Sequence, residues 1–438
     1  MFTGIIFPSS STVSLEIVES LNNIKDISVI GINSHDNYET KDLFQISYND
    51  CPLIDEEELK CIEYLINIAK IHGCNFIIPT MDYSHLILSK HGDIFNRNNI
   101  KIITSSYETN KICVSKKQTY TILKDIVDCP ILYNYDEINT NENNYINKKL
   151  FLKPDIGYGS RNCYIVNSIG ELKKKYDESL IILEYLPNDE YTIDCFTYNK
   201  KLTYINIRKR KLYKNGLSVI TENIEYKSKL YNTIERFAND INDTIDFIGS
   251  WFFQVKFDEN NICKLLEVST RIAGASSINR LNGCNLTLLS IYYQFGRPIN
   301  IIKNNNYLLV SKIFKNVVNL NKLYTYNNIF IDFDDTIIIN NKVNYLAMAF
   351  LYRELNNNKD IYLLTRHKND IGDTLKQYRI STDIFKKIIV ITDGTKKSNH
   401  VIEYSLFIDD SFKERNDVIT NTKNVLCFDV DFFEYIHI

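Results

Sequence analysis

Along the first hundred residues, short apolar runs alternate with amphipathic stretches. The runs at 4–7, 27–32, 76–79 and 100–104 have strand length. Between them, 55–72 places Leu59, Ile62, Leu65, Ile66 and Ala69 at helical spacing, which predicts a helix with one apolar face. Strand alternating with helix predicts a parallel α/β sheet over residues 1–110. Over 111–320 the texture changes. Strands come in hairpins, 150–153 with 163–166 and 250–257 with 262–269, and helical spacing returns at 231–242, which predicts an α+β domain. A third grammar starts at Asn328, with an apolar strand at 329–331 and then helix alternating with strand through 361–364, 388–391 and 406–408. It predicts a second α/β domain over 326–438, with the boundary in the polar stretch 319–328.

The 438 residues are 44% hydrophobic and 24% charged, which excludes wholesale disorder. A net charge of −3 offers no field for nucleic acid or an anionic membrane, so neither is expected as a partner. The 10 cysteines form no Cys-x-x-Cys, which argues against a disulfide framework or zinc knuckle and suits a reducing cytoplasm. Residues 1–8 lack the basic start and apolar run of a signal peptide, and no apolar run reaches spanning length. A cytoplasmic location is therefore expected.

Candidate chemistry falls in two groups. In the first, 151–161 carries Lys153 at a strand end, followed by a loop with Gly157, Gly159 and Ser160. Glycines let backbone N–H groups approach phosphate oxygens, although such a loop alone is more often a plain turn. In 181–194 a strand ending at Glu184 leads through Leu186 to a second strand starting near Glu190. In 251–271 a turn at 258–261 pairs Phe257 with Ile262 and sets Gln254 opposite Leu265, with Glu267 two residues on. Period two then puts Gln254 and Glu267 on one face, an oxygen pair suited to Mg²⁺. Arg271 follows where it can meet a phosphate.

In this order the segments resemble the ATP-grasp superfamily, in particular its carbamoyl-phosphate-synthase-like ligases, over about residues 1–310. Residues 1–110 are similar to the domain that precedes the grasp, including the turn Pro79-Thr80-Met81-Asp82. The resemblance implies ATP and Mg²⁺, with Lys116 and Lys153 on phosphates and 157–160 as a flexible phosphate loop. Glu184 and Leu186 would flank adenine, and Glu190 would hold ribose. Arg208, Arg210 and Arg271 would lie near an acyl-phosphate. Gln254 and Glu267 would bind metal, joined by Ser269, which stands where the family has Asn. Ser115 likewise stands where it has Asp.

The second group begins with Asp332 and Asp334, two apart after an apolar strand and followed by Thr336. At strand spacing both carboxylates point one way, so one can attack a phosphoryl group while the other moves a proton. Thr365 ends another strand and can bind a phosphoryl oxygen. Lys397, with Lys396 as its alternative, can neutralise developing charge, and Asp409 and Asp410 can hold Mg²⁺ with Asp332 and Asp334. Each alone is equally a strand-end or helix-cap residue. In order, at successive strand ends of an open sheet, they resemble the haloacid-dehalogenase-like phosphohydrolases. Only 33 positions separate Asp332 from Thr365 and 32 separate Thr365 from Lys397, too few for an inserted cap domain, so a capless Rossmann-like domain is expected. His85, His91 and His367 are expected in polar surroundings, His367 as a solvated loop residue more than as a wall of the phosphatase pocket.

Together the resemblances imply a bifunctional enzyme. A ligase would join a small-molecule carboxylate to an amine or other nucleophile through an acyl-phosphate, and a phosphatase would act on a phosphorylated metabolite. The rival reading is a nucleotide-sensing regulatory or defence protein, and ATP-driven phosphoryl transfer without amide formation is a third. Oligomeric state, including a homo-oligomer, stays open.

Overall fold

The computed structural model describes residues 2–22, 24–36, 40, 43–146, 148–157, 159, 161–214, 217–301, 308–312 and 324–436. Ser160, and residues 319–323 of the boundary stretch, lie outside them. The chain divides into two compact units, Met1–Ile313 and Phe314–Ile438.

The first unit opens with a five-stranded parallel sheet in the order Ser47–Tyr48, Ile27–Ile32, Phe2–Phe7, Phe76–Pro79, Lys101–Ile102. Gly4 is required in its central strand because the Phe76 ring stands where a Cβ would be, 2.0 Å away. The helix Glu58–His72 buries Ile62, Leu65, Ile66 and Ala69 as its spacing predicts, together with Cys61 and Ile68. Leu59 is 66% exposed instead. At 100° per residue it sits about a quarter-turn off the centre of that face.

Two antiparallel sheets follow. The smaller runs Leu132–Tyr133, Leu180–Glu184, Leu150–Pro154, Tyr164–Val166. The larger runs Cys263–Ser269, Gly249–Phe257, Glu190–Tyr198, Lys201–Lys214, Leu217–Asn223, Leu309–Ser311. Strand alternation divides the larger sheet's faces. Ile193, Cys195, Ile207, Phe253 and Val255 pack against Ile234, Ala238 and Ile241 of the helix Lys229–Thr244. The opposite face carries a polar row in direct register, with Arg208 beside Thr192, Thr192 beside Gln254 and Gln254 beside Glu267.

That row corrects the expected pairing. Phe257 pairs with Cys263, not Ile262, and Gln254 faces Glu267 itself, not Leu265. Two offsets add: the connecting loop takes in Ile262, whose carbonyl accepts from the Asp258 N–H, and a bulge then shifts the register between Val255, opposite Leu265, and Gln254, opposite Glu267, so Leu266 is left outside the ladder.

The second unit is a five-stranded parallel sheet, ordered Lys387–Val390, Asp360–Thr365, Asn328–Ile331, Ser405–Ile408, Val425–Phe428. The first strand in the chain is central and its successors go to opposite sides, so the strand order reverses beside Asn328–Ile331 and a crevice forms at the carboxyl ends there. Between Asp332 and Thr365 the chain holds only a two-stranded ribbon, Ile338–Ile339 with Lys342–Val343, and the helix Tyr345–Asn356. Among the described residues no helix is long and apolar enough to cross a membrane.

Candidate active sites

In the first unit a cavity of about 610 Å³ lies against both antiparallel sheets. Its lining brings together Lys116, Lys153, Gly157, Gly159, Glu184, Leu186, Glu190, Arg210, Gln254 and Glu267. Lys153 and the glutamates come from the strands, the glycines from the loop after Leu150–Pro154, and Lys116 from the start of the helix Lys116–Leu123.

Lys153 is buried, and its Nζ donates to the Tyr120 hydroxyl and the Leu266 carbonyl, both at 2.9 Å. Tyr120 also donates to the Leu266 carbonyl, at 2.6 Å. The bulge frees this carbonyl from the ladder, so one local irregularity both aligns Gln254 with Glu267 and anchors the lysine. Burial, reinforced by Lys116, lowers the Lys153 pKa to about 8. Lys116 Nζ donates to the Asp155 and Gly157 carbonyls at 3.1 Å each. Ser115 explains why this helix start works without an aspartate. Its hydroxyl accepts from the Gln118 N–H at 3.1 Å and donates to the Asp155 carboxylate at 2.9 Å, so Asp155 supplies the charge.

Because Lys153 is partly neutral above pH 8, binding a polyphosphate there should take up a proton. Calorimetric ATP binding at pH 8.5, compared across buffers of different ionisation enthalpy, should show uptake of up to about three-quarters of a proton. The uptake should vanish in Lys153→Met, and affinity should fall as pH rises beyond about 8.

Other expected residues are placed elsewhere or are occupied. Glu184 accepts from the Ile131 N–H at 3.1 Å, with Lys264 3.8 Å away. Arg210 pairs with Glu190 at the cavity wall. Arg208 is fully buried outside the cavity lining and donates to Asp194 at 2.7 and 3.4 Å. Removing one partner of such a pair strands the other's charge. Arg208→Met should therefore cost about 3–5 kcal/mol in denaturant or thermal unfolding, and Arg208→Met with Asp194→Leu should regain most of it. Unchanged stability with lost ATP turnover would instead make Arg208 a reaction-site group.

Arg271 and Ser269 converge on Asp82, at the start of the helix Asp82–Lys90. Arg271 donates at 3.0 and 3.1 Å and the Ser269 hydroxyl at 2.5 Å. Burial pushes the Asp82 carboxyl up, but the guanidinium and the hydroxyl outweigh it and hold it at about 2. Ser269 is thus committed to Asp82. Gln254 and Glu267 stand opposite each other across the strands, and their side-chain oxygens are hard donors of the kind that fit Mg²⁺ sharing its shell with phosphate and water. Lys256 also lines the cavity. Strand period marks it, two residues beyond Gln254 on the same face. His85 departs from expectation in being buried: its Nδ1 bonds the Thr104 hydroxyl at 2.7 Å, and burial lowers its pKa to about 3.

In the second unit the expected residues meet at the carboxyl ends of the strands. Lys397 Nζ donates to Asp332 at 2.7 Å and to Asp409 at 2.6 Å. Lys396 points away, 3.2 Å from Asp417. Burial pushes Asp332 up to about 6, opposed by Lys397 and reinforced by Asp409. Burial also raises Asp409 and Asp410. Among the described residues, Asp332, Asp409 and Asp410 form one group whose carboxylate oxygens lie within 4.8 Å of one another. Three convergent hard donors with raised proton affinity fit a divalent cation such as Mg²⁺.

Thr365 is fully buried, its hydroxyl accepting from the His367 N–H at 3.1 Å, and the Thr336 hydroxyl accepts from the Asp410 N–H at 3.2 Å. Asp334 is half exposed and bonds His367 Nδ1 at 2.9 Å, while His367 Nε2 bonds the Thr374 hydroxyl at 3.0 Å. His367 is therefore a held residue beside the carboxylate pair, not a solvated loop histidine. Two positions after Thr365 in sequence was the only signal for it.

A family model described as ATP-grasp in the biosynthetic pathway with Ter operon matches residues 176–315. Among solved structures, the biotin carboxylase of Campylobacter jejuni in its β-γ-ATP complex aligns with a TM-score of 0.60 at 16% identity, over 72% of this chain and 76% of its own. The N5-carboxyaminoimidazole synthetase of Staphylococcus aureus complexed with ADP aligns with a TM-score of 0.57 at 14% identity, over 71% and 82%. The L-amino acid ligase of Bacillus licheniformis aligns with a TM-score of 0.53 at 13% identity, over 67% and 73%. No curated protein matches. The chain therefore contains the ATP-grasp fold.

Proposed function

We propose that the protein is bifunctional. Residues 1–320, a pre-ATP-grasp domain (1–110) and a grasp domain (111–320), form an ADP-forming ligase. In it a carboxylate oxygen attacks the γ-phosphorus of ATP, giving acyl-phosphate and ADP. An amine or similar nucleophile then attacks the acyl carbon and expels phosphate. Lys116 and Lys153 would balance the phosphates, and Gln254 and Glu267 would hold Mg²⁺, which supplies charge neutralisation when bound. Supporting this assignment most directly is the cavity in which both lysines share walls with that oxygen pair.

Residues 326–438 form a haloacid-dehalogenase-like phosphatase. Asp332 attacks the phosphorus of a phosphate ester, and the leaving alkoxide takes the proton of Asp334. Asp334 then takes a proton from water, which hydrolyses the aspartyl-phosphate. Thr365 and Lys397 would hold phosphoryl oxygens, and Asp332, Asp409 and Asp410, whose oxygens converge, would hold Mg²⁺, whereas Asp334, bonded to His367, is left to proton transfer. The support is the Lys397 bridge between Asp332 and Asp409 at the crevice.

One observation favours a second function for the grasp: Ser269 is bonded to Asp82, which leaves a sparse metal site suited to sensing a nucleotide without ligation. ADP formation that requires both a carboxylate and a nucleophile supports the ligase. Tight ATP binding with no turnover under any such pair supports the sensor.

A further inference from the structure

Beside the large cavity of the first unit lies a smaller recess of about 120 Å³, which shares Lys116, Gly157 and Glu267 with it. These are the residues of its phosphate-and-metal end. The remaining walls differ in character. Asp82 and Ser269 line one side, while Tyr83, Cys113, Val114 and Val268 form an apolar side. Burial pushes the Cys113 thiol up, so it presents a neutral wall.

Charge decides what enters. The Asp82 carboxylate is matched by Arg271 through two hydrogen bonds, so it adds little net field. Lys116 and Glu267 remain, and a cation on Glu267 would leave the recess positive. Size is equally restrictive. A cavity of about 150 Å³ admits benzene, so about 120 Å³ admits roughly five non-hydrogen atoms.

Resting on the ligase function proposed above, we infer that this recess receives the carboxylate substrate and that the substrate is a short acid. Its carboxylate faces Lys116 and the γ-phosphate end, and a tail of a few carbons, with or without an α-amino group, lies against Cys113, Val114 and Val268. Long-chain, aromatic and bulky dicarboxylic acids exceed what the recess holds, so their bodies would extend beyond it and they should react more slowly.

The test uses the full chain with ATP, Mg²⁺ and hydroxylamine, which attacks an acyl-phosphate to give a hydroxamate and phosphate. It therefore reports the acid without knowledge of the natural nucleophile. Acetate, propionate, glycine and alanine are expected to give hydroxamate at least tenfold faster than hexanoate, benzoate or phenylalanine. Val114→Phe, which fills the recess, should abolish hydroxamate formation while leaving the ATP dissociation constant within about twofold. Ile156→Ala, which trims an exposed rim residue, should move the size limit upward. Equal rates with short and bulky acids, or a Val114→Phe variant that keeps its activity, would overturn the recess assignment and leave the ligase standing. Hydroxamate from no acid, with ATP still bound, would overturn the ligase itself and the inference with it.

Discussion

Asp332→Asn is expected to lower hydrolysis of a generic phosphate ester by about 10³-fold or more while the protein stays folded. The substitution keeps the shape of a side chain that is nearly buried and already bonded to Lys397, but removes the oxygen that attacks phosphorus. Asp334→Asn should cost about 10²–10⁴-fold, the usual worth of a positioned acid–base group, and should accumulate phosphoenzyme with an ester whose leaving group departs without a proton, because only the activation of water then fails. Lys397→Met should be as damaging as Asp332→Asn, since it strands two buried carboxylates, whereas Lys396→Met should leave the rate unchanged. Steady-state rates and acid-quenched phosphoenzyme measure all four. Hydrolysis near the wild-type rate in Asp332→Asn would end the phosphatase assignment.

Lys153→Met should suppress ATP turnover by about 10²-fold or more, and Glu267→Gln should do so by a different route. Lys153 is a buried cation on a bulged carbonyl, so its replacement removes charge from the phosphate end with little change of volume. Weaker ATP binding that no amount of Mg²⁺ restores is the expected signature. Glu267→Gln keeps an oxygen beside Gln254 but loses the negative charge, so activity should return in part as Mg²⁺ is raised. ADP formation over a Mg²⁺ titration separates the two. Wild-type turnover in both variants across the whole titration would remove the active-ligase assignment.

Short-range pattern was enough for much of this. The period of two along the 251–271 hairpin puts Gln254 and Glu267 on one face before any coordinates, because alternate residues of a strand point to the same side. Asp332, Thr365 and Asp409 could be read in order because each stands at a strand's carboxyl end in a parallel sheet, where such sheets collect their ligands; Lys397 departs from that expectation, opening a short helical turn seven residues past the strand Lys387–Val390. Lys116, Lys153, Glu190 and Glu267 were legible for a similar reason, each standing at a strand or helix terminus whose flanking residues form a recognisable spacing.

Other features were decided only by packing. The sequence of the 251–271 hairpin is consistent with an unbroken ladder, and nothing local announces that Leu266 leaves it. The bulge persists because Tyr120, from a helix 146 residues away in the chain, and Lys153 both bond its carbonyl. Arg208 and Arg210 have the same spacing and chemistry in sequence. Yet Arg208 is closed off against Asp194 while Arg210 reaches the cavity: the neighbouring strand gives each an acid, but Asp194 is fully buried whereas Glu190, at the start of that strand, lies at the cavity wall. Ser269 looked like a weakened metal ligand until Asp82, 187 positions earlier, proved to hold it. Sequence alone thus determined which residue types face a common surface, since that follows from local backbone period. Which partner each charged group takes was left to the tertiary structure, because a hydrogen bond depends on groups brought together across the whole chain within about 3 Å.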